Sequence, residues 1–132
     1  MTVRIVTDSA SDLTHDEATA LGIDVVPLSI RFGDDVFLDR VELGIDEFYR
    51  RMADSEDLPQ TAAPAPGAFQ EVFRRRFADG ADAIVCINLS SGVSATMESA
   101  ELAARETDGD VRVVDSRSVT AGLGMMVLAA AE

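Results

Sequence analysis

The chain alternates between short apolar runs and segments with helical spacing, and this alternation constrains the fold more than any other feature. Four runs rich in β-branched residues, at positions 3–7, 23–32, 83–89 and 111–115, predict strands. Three of them are almost continuously apolar, which is typical of strands covered on both faces. We therefore predict an α/β domain with three layers, in which helices cover both faces of a mostly parallel sheet.

Five helices are predicted between and after these strands. Thr14 is the expected N-cap of the first helix, because Glu17 occupies the capping-box position, and this helix should end near Gly22. The third helix is expected to begin at Pro66, since proline suits a first helical turn. The other three helices are expected at residues 45–52, 93–105 and 119–132.

Two further segments have a simpler interpretation. Residues 32–38 place a turn dipeptide between two apolar pieces, which indicates a small hairpin or an edge strand. Residues 54–66 contain three prolines and predict a loop.

In the second helix, Phe48 and Tyr49 are both expected to face the core. One domain is expected over residues 1–132, because this length suits a single core.

The charge of the chain disfavours several classes of partner. Asp and Glu number 24 against 11 basic residues, all of them arginine, for a net charge of -13. Such a surface repels phosphates, so no nucleic-acid partner is expected. No apolar stretch approaches the roughly 18 residues that a membrane span needs, and the N-terminus lacks the apolar region of a signal peptide. A cytoplasmic location is the expectation.

The usual catalytic residues are scarce. The single histidine, His15, lies at a predicted helix start beside two acidic residues, where a solvated surface position is expected. The single cysteine, Cys86, lies within an apolar run and is expected to be buried. The chain has no lysine, and the pair Gly122 and Gly124 lacks the third glycine of a dinucleotide-binding loop. We therefore predict no catalytic residue, no metal site and no cofactor.

Hydroxyl-rich turns follow three of the predicted strands, at residues 7–12, 89–96 and 115–118. In a parallel sheet these turns share the carboxyl edge, where ligands of open α/β folds bind. The second turn is the most suggestive, because small residues there precede a helix start that favours an anion. The alternative is ordinary capping of that helix by Ser91 or Ser94. The two roles are compatible, since only one hydroxyl is needed for the cap.

Motifs along nearly the whole chain resemble those of DegV proteins. Residues 5–13, Ile-Val-Thr-Asp-Ser-Ala-Ser-Asp-Leu, resemble the opening of that family. Residues 59–66, Pro-Gln-Thr-Ala-Ala-Pro-Ala-Pro, resemble its Pro-x-Thr-Ser-x-Pro-Ser loop, and residues 89–96 its Ser-Ser-x-Leu-Ser-Gly-Thr turn. The chain is identified as the N-terminal α/β lobe of a DegV family member. Shorter matches are Val26-Pro27-Leu28, Asp39, Phe48, Tyr49, Val114-Asp115-Ser116 and Gly122.

The resemblance implies a lipid-binding protein rather than an enzyme. DegV proteins hold a long-chain fatty acid, such as palmitate, between two lobes, and some bacterial members present it to a fatty acid kinase. Carried over by motif, Thr61 and Ser94 would hydrogen-bond the carboxylate, with a backbone N–H near Ala95 assisting. Ser91 and Asp8 would be supporting residues. The alternative for Thr61 is that it only braces the proline-rich loop.

This sequence departs from the family pattern at several positions. Ala62 and Ala65 replace serines of the family's proline-rich loop, and Ala95 replaces a glycine that allows close approach to the backbone. Family members also continue into a second lobe that forms the other wall of the site. The resemblance therefore implies a first lobe with the second lobe absent, which binds fatty acid weakly unless dimerisation closes the site.

Two other functions remain open from the sequence. A small α/β enzyme acting on a phosphorylated metabolite would need an acid or base, for which Asp8 and Asp115 are the candidates. A structural domain that forms a homodimer is the other alternative. Its contact would be the last helix, at residues 119–132, which has almost no polar face and needs partners on several sides.

Overall fold

The computed structural model describes all 132 residues of the chain. It has seven strands and five α-helices, with a 3-10 turn at Ser9–Ser11 after the first strand. The strands are β1 (Val3–Asp8), β2 (Asp24–Val26), β3 (Ser29–Phe32), β4 (Asp35–Leu38), β5 (Gln60–Ala62), β6 (Ala83–Asn88) and β7 (Asp110–Asp115). The helices are α1 (His15–Leu21), α2 (Ile45–Asp54), α3 (Pro66–Ala78), α4 (Thr96–Arg105) and α5 (Thr120–Ala131).

The main sheet is parallel and has helices on both faces, so the predicted α/β architecture with three layers is confirmed. Its strand order is β2-β1-β6-β7. Neighbouring residues of a strand face opposite layers, and they therefore enter different cores. Ile5 packs with α1 and α5, whereas Val6 packs with α3 and α4. Cys86 lies opposite Val6 and is fully buried, as expected.

The single strand predicted at residues 23–32 is wrong, because the chain forms two strands there. Only β2 belongs to the parallel sheet, and β3 belongs to a separate antiparallel sheet of order β4-β3-β5. The break falls at Pro27, which has no N–H for strand pairing. The next N–H, that of Leu28, donates instead to Ser9 Oγ at 3.0 Å. The chain therefore leaves the first sheet and enters the second.

The second sheet confirms one prediction and corrects another. Strands β3 and β4 form the expected hairpin, with Ile30 opposite Phe37. The segment predicted as a loop at residues 54–66 contains β5, in which Thr61 lies opposite Ile30. This strand has three residues between prolines, so its own sequence carries no periodic signal. Pairing with β3 supplies its structure.

Two helices differ from the prediction. Phe48 of α2 is half-buried and its ring lies 5.8 Å from that of Phe32, whereas Tyr49 is 58% exposed. Consecutive helical residues point about 100° apart, so only one of the pair faces the second sheet. Helix α4 begins at Thr96 rather than near residue 93, because residues 90–93 form a turn closed by Val93 N–H donating to the Ser90 carbonyl.

The ends of α1 and the packing of α5 follow from local features. Thr14 and Glu17 form the predicted capping box at the start of α1. In α5, Gly124 lies against the 3-10 turn, and a Cβ there would come within 2.5 Å of the Ser11 carbonyl oxygen. The close approach of these two segments therefore requires glycine. Met125, on the outer side of the same helix, is 70% exposed.

Truncation of a core aromatic should destabilise the fold strongly. Phe73 is fully buried between α3 and the main sheet. We expect Phe73→Ala to lower the free energy of unfolding by about 3–5 kcal/mol, because it removes buried apolar area and leaves a cavity. Leu58→Ala, at a side chain that is 84% exposed, is the control and should change it by less than about 0.5 kcal/mol. Urea titration followed by circular dichroism measures both values.

The two glycines of α5 should respond oppositely to alanine. At Gly124 the new Cβ meets backbone, so Gly124→Ala should lower the free energy of unfolding by about 1–3 kcal/mol. At Gly122 it meets only the hydroxyl of Ser118, which can rotate away. Gly122→Ala should therefore leave stability unchanged or raise it by up to about 1 kcal/mol through helix propensity. Equal effects of the two substitutions in thermal unfolding would contradict this assignment.

Candidate ligand-binding site

The three hydroxyl-rich turns meet at one edge of the parallel sheet, as expected. Strands β1, β6 and β7 are adjacent and parallel, so their carboxyl ends, at Asp8, Asn88 and Asp115, lie side by side. Backbone hydrogen bonds join the second turn to the third: Ser90 N–H donates to the Ser118 carbonyl at 2.9 Å. This edge therefore forms one continuous polar surface.

Asp8 is a buried carboxylate whose two oxygens are occupied by donors of the protein itself. Oδ1 accepts from the Ala10 N–H at 2.9 Å. Oδ2 accepts from the Asn88 side-chain amide at 3.1 Å and from the Leu89 N–H at 2.9 Å. Burial raises the pKa of Asp8, while the hydrogen bonds from Leu89, Asn88 and Ala10 act in the opposite direction. Asp8 thus ties the first turn to the start of the second.

Asp115 joins the second turn to the third. Its Oδ2 accepts from the Ser91 hydroxyl at 2.5 Å, and its Oδ1 accepts from the N–H groups of Ser91 at 3.2 Å and Arg117 at 2.9 Å. The Ser91 hydroxyl and the Arg117 N–H hold the pKa of Asp115 below its usual range. An ionised carboxylate is a poor general acid, and three of the roughly four lone-pair sites of Asp115 are already engaged. The geometry therefore disfavours Asp115 as an acid or base.

Ser94 combines capping with an open donor. Its half-buried Oγ accepts from the Thr96 N–H at 3.1 Å and lies 2.8 Å from the Thr96 hydroxyl. Because Ala95 at the N-cap position has no side-chain acceptor, Ser94 performs the cap for α4. When the Thr96 hydroxyl donates to Ser94, the Ser94 proton is free for a ligand. Capping of α4 by Ser94 is therefore compatible with a role of its hydroxyl in binding.

The backbone at Ala95 tolerates the replacement of the family's glycine. Its φ is -81°, a value that any residue adopts without strain. The Ala95 N–H makes no hydrogen bond within the chain, and the residue is exposed. The amide is therefore available beside the Ser94 hydroxyl, at the first turn of α4.

Thr61 lies apart from the other candidates, on β5 of the second sheet. It is exposed, and its hydroxyl makes no hydrogen bond within the chain, so no hydrogen bond of this side chain braces the proline-rich loop. No side-chain hydrogen bond joins it to Ser94. The structure thus brings Asp8, Ser91 and Ser94 to one edge and leaves Thr61 on the neighbouring sheet as a separate donor.

Two residues that shape this edge were not predicted from the sequence. Asn88 is fully buried and donates to Asp8, and Thr96 is fully buried beside Ser94. A polar residue at the end of an apolar strand is a signal that could have identified Asn88, because buried polar groups are normally hydrogen-bonded. Thr96 had no such signal, since its role depends on where α4 begins.

A well-defined cleft lies elsewhere on the chain. It measures about 610 Å³ and is lined by α1, β2 and the segment that follows β4, with no contribution from Thr61, Ser91 or Ser94. The cleft and the hydroxyl-rich edge are therefore separate features of the chain. No group of three or more His, Cys, Asp or Glu is arranged to hold a metal ion. No helix has the length and apolar character needed to cross a membrane.

These features define an α/β domain that offers hydroxyl and amide donors along the carboxyl edge of a parallel sheet. The chain matches the family model described as "Uncharacterised protein, DegV family" over residues 2–132, and it therefore belongs to the DegV family. It is 39% identical over 132 residues to a DegV domain-containing protein of Deinococcus radiodurans. The resemblance found in the sequence is confirmed.

Solved structures show the same fold. A DegV family protein from Thermus thermophilus, described by its fatty acid binding, has 37% identity and a TM-score of 0.91 over 99% of this chain. The fatty acid kinase (Fak) B3 protein of Streptococcus pneumoniae, loaded with linoleic acid, has 26% identity and a TM-score of 0.79 over 96% of it. The chain spans about half of these proteins: 47% of the Deinococcus relative and 46% of each structure.

The buried carboxylate of Asp8 provides a test of how the edge is held together. Asp8→Asn must direct its NH₂ group towards donors of the protein, so we expect the free energy of unfolding at neutral pH to fall by about 1–3 kcal/mol. Asp34→Asn, at an exposed turn, is the control for loss of one charge. Denaturant titration of both variants measures the effect.

The pH dependence of that loss has a definite sign. Burial raises the pKa of Asp8 above 3.8 in the folded protein, so the folded state favours the protonated form. The unaltered protein therefore loses stability from this group as the pH rises from 3.8 through the raised pKa. Asn does not titrate, so the destabilisation by Asp8→Asn should be smaller at neutral pH than at acid pH. A destabilisation that grows with pH would contradict this assignment.

Proposed function

We propose that this chain is the N-terminal lobe of a carrier that binds a long-chain fatty acid such as palmitate, with the carboxylate held by Ser94 and Thr61. The observation that carries the proposal is a set of available donors: the Ala95 N–H, the Thr61 hydroxyl, and the Ser94 hydroxyl, whose proton is free when Thr96 donates to it. They belong to a chain whose solved neighbours include fatty-acid-binding proteins.

The chemistry of these donors suits a carboxylate. Hydrogen bonds to an ionised oxygen are stronger than those between neutral groups, so hydroxyls and amides hold an anion without a cation. The N-terminus of α4 adds the positive end of a helix dipole beside Ser94. Neutral donors also leave carboxylate lone pairs free. This arrangement supports binding and presentation of the ligand rather than catalysis by the chain.

The acyl chain would supply most of the affinity, at about 0.8 kcal/mol for each methylene group that is buried. Exposed apolar side chains are present, including Val93 in the second turn and Val119 before α5. An open edge buries such a chain only in part. We therefore assign the remaining cover to a second lobe, as in relatives of twice this length, or to a second copy that contacts the exposed side of α5.

A fatty acid kinase is the proposed recipient of the bound ligand. The support for it is the similarity to the pneumococcal fatty acid kinase B3 protein. Presentation to a kinase requires the carrier and the enzyme to share a compartment, and we place both in the cytoplasm. The carrier itself needs no cofactor for this role.

Removal of either the Thr61 or the Ser94 hydroxyl should weaken binding of the fatty acid. We expect Thr61→Ala and Ser94→Ala each to weaken palmitate binding about 10- to 100-fold, the value of one hydrogen bond to a charged group. Thr61→Ser should retain binding, because it keeps the hydroxyl. Native mass spectrometry, followed by extraction and identification of the lipid that co-purifies, measures occupancy, and displacement of a fluorescent fatty acid measures affinity.

Two controls make this experiment specific. Thr19→Ala removes an exposed hydroxyl from α1 and should leave palmitate binding unchanged. Ser94→Ala also removes a helix cap, so its thermal stability is measured alongside, with a loss of about 0.5–2 kcal/mol expected. Palmitate binding that survives both Thr61→Ala and Ser94→Ala would contradict the proposed site. Absence of any bound fatty acid, with or without a second lobe, would contradict the carrier function.

A further inference from the structure

Ser94 lies between helix α4, to which its Oγ is bonded at Thr96, and the turn that precedes it. Residues 90–93 are closed by the Val93 N–H donating to the Ser90 carbonyl at 3.1 Å, and by the Gly92 N–H donating to Ser90 Oγ at 3.2 Å. These bonds shape the turn but do not fix it relative to the sheet. A contact with a neighbouring strand end holds the turn, and with it the chain leading into Ser94, against the sheet.

Asp115 makes that contact from the end of β7. It accepts both the hydroxyl and the N–H of Ser91, at 2.5 and 3.2 Å, and it is oriented by the Arg117 N–H. One other direct hydrogen bond joins the turn at residues 90–93 to the loop at residues 115–118, from the Ser90 N–H to the Ser118 carbonyl. Ser91 also commits its proton to Asp115, so its hydroxyl is not a donor for a ligand.

We propose that Asp115 is a positioning residue of the carboxylate site, which acts through Ser91 on Ser94 and the Ala95 amide. The inference rests on the proposed function. It assigns the positioning of the ligand's donors to a residue that does not touch the ligand. A carboxylate beside an anion site repels the ligand. The three neutral donors on Asp115 stabilise its negative charge without removing it, so a positioning role requires that the ordering of the turn outweigh this repulsion.

A double-mutant cycle tests the action through Ser91. The variants are Asp115→Ala, Ser91→Ala and the double substitution in the full chain. Each single variant should weaken palmitate binding about tenfold, and the double variant should bind no worse than Asp115→Ala alone, because residues that act through one contact are not additive. Asp115→Asn should lose less than Asp115→Ala, since its amide can still hydrogen-bond Ser91.

Hexadecanol separates positioning from general destabilisation. It has the acyl chain of palmitate without the carboxylate. Asp115→Ala should therefore weaken palmitate binding about tenfold, because the donors to the carboxylate are misplaced, but change hexadecanol binding less than about twofold. Equal weakening of both ligands, or single effects that multiply in the double variant, would overturn the positioning role while leaving fatty-acid binding intact.

Amide hydrogen exchange gives a readout that needs no ligand. In Asp115→Ala, amide exchange at Ser91 and Gly92 should accelerate at least about tenfold. Local opening of the turn then no longer has to break the hydrogen bonds from Ser91 to Asp115. The Leu89 amide is held by Asp8 and should not change. Unchanged exchange at Ser91 would overturn the positioning role. Failure of the unaltered protein to bind palmitate would instead overturn the proposed function, so the two failures are distinguishable.

Discussion

The parallel pairing of β1 with β6 is the interaction on which the rest of the structure depends. Residues 3–7 pair in register with residues 83–87, and both strands are covered by helices on both faces. A shift of one residue would exchange the two cores, so the apolar pattern specifies this register strongly. The same register places Asp8 against Leu89 and Asn88. Core packing and the geometry of the hydroxyl-rich edge are therefore set together.

The polar groups of the hydroxyl-rich edge have two different roles. Asp8 and Asp115 accept hydrogen bonds from the protein, and these bonds join the turns to one another. The Ala95 N–H makes no hydrogen bond within the chain, and the Ser94 proton is free when the Thr96 hydroxyl is the donor of their shared bond. Under the proposed function, a chain with a net charge of -13 would bind an anion against long-range repulsion. Short-range donors at a helix start are the suitable means, because solvent and salt screen the distant charges.

The second sheet gives the molecule a donor that the parallel sheet cannot provide. Thr61 is held on β5 by pairing with β3, and β3 leaves the main sheet only because the chain breaks at Pro27. A ligand that contacted both Thr61 and Ser94 would bridge the two sheets. The relative placement of these donors therefore depends on a local interruption of one strand, not on the stronger parallel pairing.

Features that depend on local pattern could be predicted from the amino-acid sequence alone. They are the capping box of Thr14 and Glu17, the alternation of strands and helices, and the hydroxyl-rich turns at one edge. Three other features arise from contacts between distant segments: β5 is a strand, Asp8 binds Asn88 from 80 residues away, and Asp115 binds Ser91 from 24 residues away. Contacts between distant residues leave no periodic signal, because they arise only after the sheet has brought the strand ends together.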